Sequence, residues 1–133
     1  MSSGADRIEL VLDPRPESLP EARHRVEAWL TGAGVPDAVA ADLVTAVGEL
    51  CTNAVQAAES RVAVRGRIER ESVVIEVHDD GPGFTGKIPE IEPDPLADAG
   101  RGLFIVQKLV DVLWLSADGE LGGTVARAAR RFR

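Results

Sequence analysis

Two β-rich runs in the middle of the chain constrain its fold more than any other feature. RVAVRGRI (61–68) and SVVIEVHD (72–79) are rich in β-branched residues, and only the polar segment Glu69-Arg70-Glu71 separates them. Two β-rich runs joined by a connection this short are typical of an antiparallel hairpin. We therefore expect these segments to lie side by side in an antiparallel sheet.

Helical spacing of apolar residues predicts two helices before this hairpin and one after it. A second helix is expected to open at Pro36-Asp37 and run through AVAADLVTAVGELCTNAVQAAE, with its apolar residues on one face. RGLFIVQKLVDVL predicts the third helix, starting at Gly102. The first helix has apolar residues near helical spacing and two glycines that end it: Leu19, Val26, Trp29 and Leu30, then Gly32 and Gly34.

The remaining strands complete a layered architecture. Alternation of Ile8, Leu10 and Leu12 predicts a first strand that ends at Asp13-Pro14, and two further strands are expected over Leu113–Ser116 and from Gly123 to about Ala129. The order β-α-α-β-β-loop-α-β-β implies an α+β two-layer sandwich, with helices on one face of a mixed, mostly antiparallel sheet. Strand–helix alternation is missing, so a Rossmann fold is not expected.

Composition limits the classes of function. The 133 residues suit one domain spanning 1–133, and the net charge of −7 argues against direct binding of nucleic acid. No apolar run is expected to be long enough to span a membrane, and no secretory signal is expected. A cytoplasmic location is therefore expected. Cys51 has no partner for an internal disulfide and no metal-ligand spacing, which favours a buried, inert thiol.

The predicted second helix carries a polar pair in the segment GELCTNA. Glu49 and Asn53 are four residues apart, so they project from the same helical face, one turn from each other. Their neighbours belong to the apolar stripe, and a carboxylate near a core needs partners. Taken alone, the pair is equally well explained by an exposed helix face.

A second motif follows the hairpin, in HDDGPGF. Asp79 ends a strand, and Gly81 and Gly83 follow, so an acceptor stands beside backbone that can approach a ligand closely. A carboxylate that only accepts hydrogen bonds can read an exocyclic amino group such as that of adenine. The same letters are also ordinary turn chemistry.

Two further glycine motifs follow a long irregular segment. Residues 81–99 are rich in proline and acidic residues, and a loop of this length is usually functional or disordered. GRGLF then starts the third helix, where free N–H groups can bind an anion and Arg101 adds donors suited to phosphate. Gly122-Gly123-Thr124 opens the last strand, which by itself indicates a turn.

The order and spacing of these four motifs resemble the boxes of the GHKL ATPase and kinase superfamily, whose nucleotide site is the Bergerat fold. The resemblance extends from about Asp6 to Ala129. The chain has neither the additional domains of the gyrase-like, MutL-like and chaperone members nor a phosphoacceptor histidine in its usual context, since only His24 and His78 are present. Its length and its segments GELCTNAV, DDGPGF and GRGLFIVQKLVD resemble the anti-sigma-factor serine/threonine kinases of the SpoIIAB/RsbW type.

This resemblance implies a set of residue roles. It implies ATP and Mg²⁺ as cofactors, with Asn53 holding the ion and Glu49 acting as the catalytic base. It also implies that Asp79 accepts from the adenine amino group with help from Thr124. The resemblance implies that Gly81 and Gly83 lie beside the base. The residues implied to wrap the phosphates are Gly100, Arg101, Gly102 and Leu103. Residues from about 84 to 99 are implied to form the ATP lid.

The resemblance further implies regulation of transcription, through a sigma factor that is bound and blocked and a small anti-anti-sigma protein of the STAS type that is phosphorylated. A homodimer is a further possibility. Two departures leave catalysis open, because Gln56 and Ala57 stand where many relatives have a basic residue, and the lid is acidic. The alternative is a non-catalytic, nucleotide-dependent module that sequesters a regulatory partner.

Overall fold

A computed structural model describes residues 2–3, 6–83, 101–117 and 119–132. The predicted lid (84–99) and Gly100 lie outside these residues. In chain order the elements are β1 (Ser2–Ser3), β2 (Arg7–Leu12), α1 (Ser18–Gly32), α2 (Asp37–Ala57), β3 (Val62–Glu69), β4 (Ser72–Asp79), α3 (Arg101–Leu109), β5 (Val112–Ser116) and β6 (Val125–Arg131).

The six strands of the described residues form one sheet in the order β1-β2-β3-β4-β6-β5. The predicted hairpin is confirmed, with Val62 opposite Asp79 and Glu69 opposite Ser72. Arg70 takes a positive φ of 56° at its turn. The α+β prediction is also confirmed, although every described strand pair is antiparallel where a mixed sheet was expected.

One face of the sheet carries the hydrophobic core. Strand β2 alternates strictly, so that Ile8, Leu10 and Leu12 are buried while their neighbours are exposed. Trp29 of α1 packs onto Gly66 of β3, where an added Cβ would lie 2.8 Å from the indole ring. Burial of this apolar surface is the main stabilising contribution to the fold. Other fully buried members come from both helices and strands: Val26, Leu30, Leu43, Val47, Val62, Val64, Val73, Ile75 and Val106.

The face of the sheet opposite the core carries a row of mostly charged residues. Glu9, Arg65, Glu76, Arg127 and Trp114 are aligned across five strands by the strand register. Arg127 donates to Glu76 through Nε at 2.7 Å, and its guanidinium lies 5.1 Å from the centre of the Trp114 ring. Charges on this face therefore pair with one another within the domain.

Helix α3 and the strands after it differ in their ends from the sequence prediction. The helix begins at Arg101 and ends at Leu109, so Leu113 belongs to β5 and not to the helix. Arg130 of β6 donates to the Leu109 carbonyl and pairs with Asp42 of α2. This contact satisfies a carbonyl at the helix end, which apolar periodicity alone does not show.

Helix α2 is the most apolar of the three described helices. It has 21 residues, and its apolar stretch, with a mean hydropathy of 1.3, meets the length and composition of a membrane span, so the expectation that no such run exists is wrong. Half of this apolar stretch is buried inside the domain. Cys51 is buried on this helix, and desolvation raises the pKa of its thiol to about 12 despite the nearby charge of Arg23, as expected for an inert thiol.

Candidate functional site

Two of the sequence motifs meet where helices α2 and α3 pack together. Glu49 and Asn53 lie one turn apart on α2, and Arg101 and Gly102 form the first turn of α3. A Cβ added to Gly102 would lie 2.8 Å from Glu49 Oε2 and 3.7 Å from Asn53 Oδ1. We call these four residues the helix end of the site.

The helix end has few internal bonds. Glu49 is half-buried and Asn53 is exposed, and within the described residues neither side chain makes a hydrogen bond. Their oxygens lie beside the N-terminus of α3, the positive end of the helix dipole. No cluster of three His, Cys, Asp or Glu side chains that could hold a metal occurs in the described ranges. An ion held here through Asn53 would therefore need oxygens from its ligand and from water.

The other two motifs meet at the end of strand β4. The Asp79 side chain is buried, with only 4% of the residue exposed. Its Oδ1 accepts hydrogen bonds from the backbone N–H of Gly81 at 2.8 Å and of Thr124 at 3.4 Å. The Asp79 N–H donates to the Thr124 carbonyl at 3.0 Å, which continues the pairing of β4 with β6. We call Asp79, Gly81, Gly123 and Thr124 the strand end of the site.

Close backbone contacts surround Asp79. A Cβ on Gly123 would lie 2.5 Å from the Asp79 carbonyl oxygen and 2.7 Å from the Gly81 nitrogen. A Cβ on Gly81 would lie 2.2 Å from the Ala57 carbonyl oxygen at the end of α2. These positions need glycine because space is lacking, whereas Gly83 has the positive φ of 90° that favours glycine.

The residues present fit a bound Mg·ATP at both ends. At the strand end, glycine backbone encloses a carboxylate that can accept from a base amino group, because a carboxylate has more acceptor positions than the two bonds use. At the helix end, Asn53 offers an amide oxygen beside the first turn of α3, where Arg101 is exposed. The chemistry of the two ends matches the two ends of a nucleotide.

The structure thus brings together most of the predicted site residues, in two groups. The side chain of Leu103 is buried in the hydrophobic core, with 7% of the residue exposed, so the predicted role at the phosphates would fall to its backbone. The predicted contributions of Gly100 and of the lid lie outside the described residues. Gln56 and Ala57 are exposed near the end of α2.

Sequence reasoning missed two contributors. Gly123 was expected only to open the last strand, and its close packing on Asp79 follows from the pairing of β4 with β6. Asp80 was given no role, although its side chain has partners that Asp79 does not share. The sequence Asp79-Asp80 before Gly81 indicates that both aspartates can matter. It does not tell which of them accepts hydrogen bonds from a distant backbone segment.

The fold is that of a histidine kinase-like ATPase domain. Residues 12–129 match the family model of that description. The chain belongs to this family, and its membership confirms the resemblance drawn from the four motifs.

Serine-protein kinases named RsbW are similar to this chain over most of their length. The protein from Bacillus pumilus is 31% identical over 95% of this chain and 86% of its own. That from Bacillus licheniformis is 27% identical over 100% and 92%, and that from Bacillus subtilis is 29% identical over 84% and 78%.

A solved structure supports the fold. The crystal structure of the RsbU and RsbW domains of Rv1364c from Mycobacterium tuberculosis superimposes with a TM-score of 0.72 at 21% identity. The superposition covers 94% of this chain and 32% of that longer chain, so the two share a fold over about a third of the larger protein.

Proposed function

We propose that this protein binds Mg·ATP and phosphorylates a serine or threonine of a small anti-anti-sigma partner, and that it binds and blocks a sigma factor in the cytoplasm. One observation carries the catalytic part. Gly102 brings Glu49 and Asn53 against the start of α3, so a base, an oxygen ligand and an anion site adjoin. The kinship with RsbW serine-protein kinases supports the same reaction.

Each residue of the helix end has a role in this proposal. Asn53 holds Mg²⁺ through its amide oxygen, and the N–H groups at the start of α3 together with Arg101 bind phosphate oxygens. Glu49, next to Gly102, receives the proton of the attacking hydroxyl or orients it.

The strand end holds the base. Asp79 accepts from the amino group of adenine, while its Oδ1 stays fixed by the N–H groups of Gly81 and Thr124. Both bonds are made within the protein, so they fix the carboxylate and reduce the rearrangement that binding of the base requires.

The reaction balances without a further reactant. ATP supplies the γ-phosphoryl group, which forms a bond to the partner's hydroxyl oxygen as its bond to the β-phosphate oxygen breaks. ADP leaves, and the hydroxyl proton passes to Glu49 and then to solvent. Such a transfer depends mainly on positioning and on stabilisation of charge.

Nucleotide binding is tested first, by titration calorimetry. Asn53→Ala should weaken Mg·ATP binding by roughly tenfold or more, about 1.4 kcal/mol, while the protein stays folded by circular dichroism. The matched control is Gln107→Ala, which removes an exposed amide from the later part of α3. Equal affinity of wild type and Asn53→Ala would remove the metal assignment.

Phosphoryl transfer is tested with the native partner, identified by co-purification and mass spectrometry. Wild-type protein with γ-labelled ATP should label that partner on serine or threonine. If the partner binds but remains unlabelled, the non-catalytic binding module is the correct function. The exposed Gln56 and Ala57, in place of a basic residue, make this comparison necessary.

A further inference from the structure

Asp80 makes a set of contacts that the proposed reaction does not use. It follows β4 directly, next to Asp79, but its side chain reaches the segment that leaves α2. Its Oδ1 accepts from the backbone N–H of Glu59 at 2.9 Å, of Ser60 at 3.0 Å and of Arg61 at 3.3 Å. Its Oδ2 accepts from the Ser60 hydroxyl. One carboxylate therefore binds three consecutive residues of a distant segment.

This contact lies where the two ends of the site adjoin. Helix α2 ends at Ala57, and the Ala57 carbonyl oxygen lies where a side chain on Gly81 would be. Asn53 is four residues before Ala57, or about 6 Å along the helix axis at 1.5 Å per residue. The end of α2 therefore packs on Gly81, and the segment that follows the helix, residues 59–61, is hydrogen-bonded to Asp80.

The contact is made by an ionised carboxylate. The Ser60 hydroxyl, and then the backbone N–H groups of residues 59–61, hold the pKa of Asp80 well below its usual range. Asp80 is therefore charged at neutral pH. None of its bonds involves Asp79, whose own Oδ1 binds Gly81 and Thr124.

We propose that Asp80 is a positioning residue of the nucleotide site, which fixes the helix end relative to the strand end. The inference rests on the proposed binding of Mg·ATP, because only a ligand that spans both ends needs their separation fixed. Adenosine reaches the strand end alone. Loss of the Asp80 contact should therefore weaken Mg·ATP binding much more than adenosine binding.

The experiment compares these two ligands on three variants of the full chain. Mg·ATP affinity is measured by calorimetry, and adenosine affinity by NMR titration of the Gly81 amide. Asp80→Ala should weaken Mg·ATP binding by about tenfold or more, the scale of a lost bond to a charged acceptor, with adenosine affinity within twofold of wild type. Asp80→Asn keeps an oxygen for the three N–H groups and should restore most of the Mg·ATP affinity.

Asp111→Ala is the matched control. Asp111 also accepts a backbone N–H, that of Arg131 at 2.6 Å, but at the end of β6 far from Thr124. It should change neither affinity. If it weakens Mg·ATP binding as much as Asp80→Ala does, the effect is one of general stability and the positioning role is wrong.

Further outcomes decide the inference. Unchanged Mg·ATP affinity in Asp80→Ala, or equal weakening for both ligands, overturns it while the proposed function stands. A wild type that binds adenosine but not Mg·ATP overturns the proposed function, and the inference with it. Should Asp80→Ala not fold, Ser60→Ala removes only the hydroxyl bond and should give a smaller loss for Mg·ATP alone. An equal loss for both ligands in Ser60→Ala overturns the inference.

Discussion

The two ends of the site are built in different ways. At the strand end, Asp79 is buried, its Oδ1 accepts two backbone N–H groups, and Gly123 packs against its carbonyl. At the helix end, Glu49 and Asn53 approach Gly102 without a hydrogen bond within the described residues. Backbone packed on backbone forms one end, and side chains from two helices form the other.

This difference suits the strand end to recognition by fixed atoms and the helix end to a reaction that needs movable side chains. Atoms held by the sheet keep their position before a ligand arrives, which reduces the cost of binding. The side chains of Glu49 and Asn53, which make no hydrogen bond to another described residue, can move to meet phosphate oxygens and a hydroxyl group. Substitutions at the strand end should therefore change stability and selectivity, whereas substitutions at the helix end should change the reaction.

The largest expected effect is at Glu49. Glu49→Gln keeps the shape of the side chain against Gly102 but removes its capacity to accept a proton. Transfer of phosphate to the partner should fall by about 10²–10⁴, while Mg·ATP affinity stays within a few fold. Single-turnover transfer of label measures the rate, and calorimetry measures the affinity.

The control for Glu49→Gln is the same substitution at an exposed position. Glu27→Gln on α1 removes one negative charge without touching the site and should leave the rate unchanged. Equal transfer rates for wild type and Glu49→Gln would mean that the helix end does not supply the base.

Two glycine substitutions compare the ends directly. At Gly123 an added Cβ meets the backbone of Asp79 and Gly81, which cannot move separately, so Gly123→Ala should destabilise the fold by about 1–3 kcal/mol. At Gly102 the nearest atom is the far end of the Glu49 side chain, which can rotate away. Gly102→Ala should leave stability nearly unchanged and slow phosphate transfer.

Urea denaturation of both variants measures this contrast. The free energy of unfolding should fall only for Gly123→Ala, and the transfer rate per folded molecule should fall for Gly102→Ala. Equal destabilisation by the two substitutions would show that the helix end is as rigid as the strand end.

The sequence predicts the elements well because their signals are local. Alternation in Arg7–Leu12 and the short polar link at Glu69–Glu71 define strand positions, and the structure confirms both. The end of α3 was misplaced because Val110, Val112 and Leu113 continue the helical apolar pattern. The backbone there leaves the helix as the Asp111 N–H bonds to Ala129 of β6, a contact between residues far apart in sequence.

The site was predictable only as a set of motifs. Spacing placed Glu49 and Asn53 on one face, and the resemblance gave Asp79 its role. The reason that Gly123 must be glycine, and the partners of Asp80, depend on distances across the sheet and from the end of α2. The periodicity of the sequence does not predict those distances.

The strand end is examined by Asp79→Asn. The amide can still accept the N–H groups of Gly81 and Thr124 through its oxygen, but it presents a donor where the base requires an acceptor. ATP affinity should fall by roughly tenfold, as expected for about 1.4 kcal/mol, and the preference for ATP over GTP should be lost. Competition binding with both nucleotides measures the ratio, and an unchanged preference would assign the selectivity to other residues.

The smallest effect is expected on the charged face of the sheet, outside both ends of the site. Arg127→Ala removes two contacts to Glu76, one from Nε at 2.7 Å and one from Nη2 at 2.6 Å, but the arginine is half exposed. Exposed ion pairs contribute about 0.2–1 kcal/mol. Urea denaturation at neutral pH should show a loss of that size, and Mg·ATP affinity should be unchanged.

The pH dependence of this loss gives the final test. Burial alone would raise the pKa of Glu76, but hydrogen bonds from His78 and Arg127 outweigh it, and the pKa lies below its ordinary value. A carboxyl whose pKa is lowered in the folded state adds stability above its unfolded pKa of about 4.3, and that stability is lost as the pH falls through the folded value. The difference between wild type and Arg127→Ala should therefore be greatest near neutral pH and shrink below about pH 4. A difference that grows on acidification would contradict the pairing, and a change in Mg·ATP affinity would show that the two faces of the sheet are coupled.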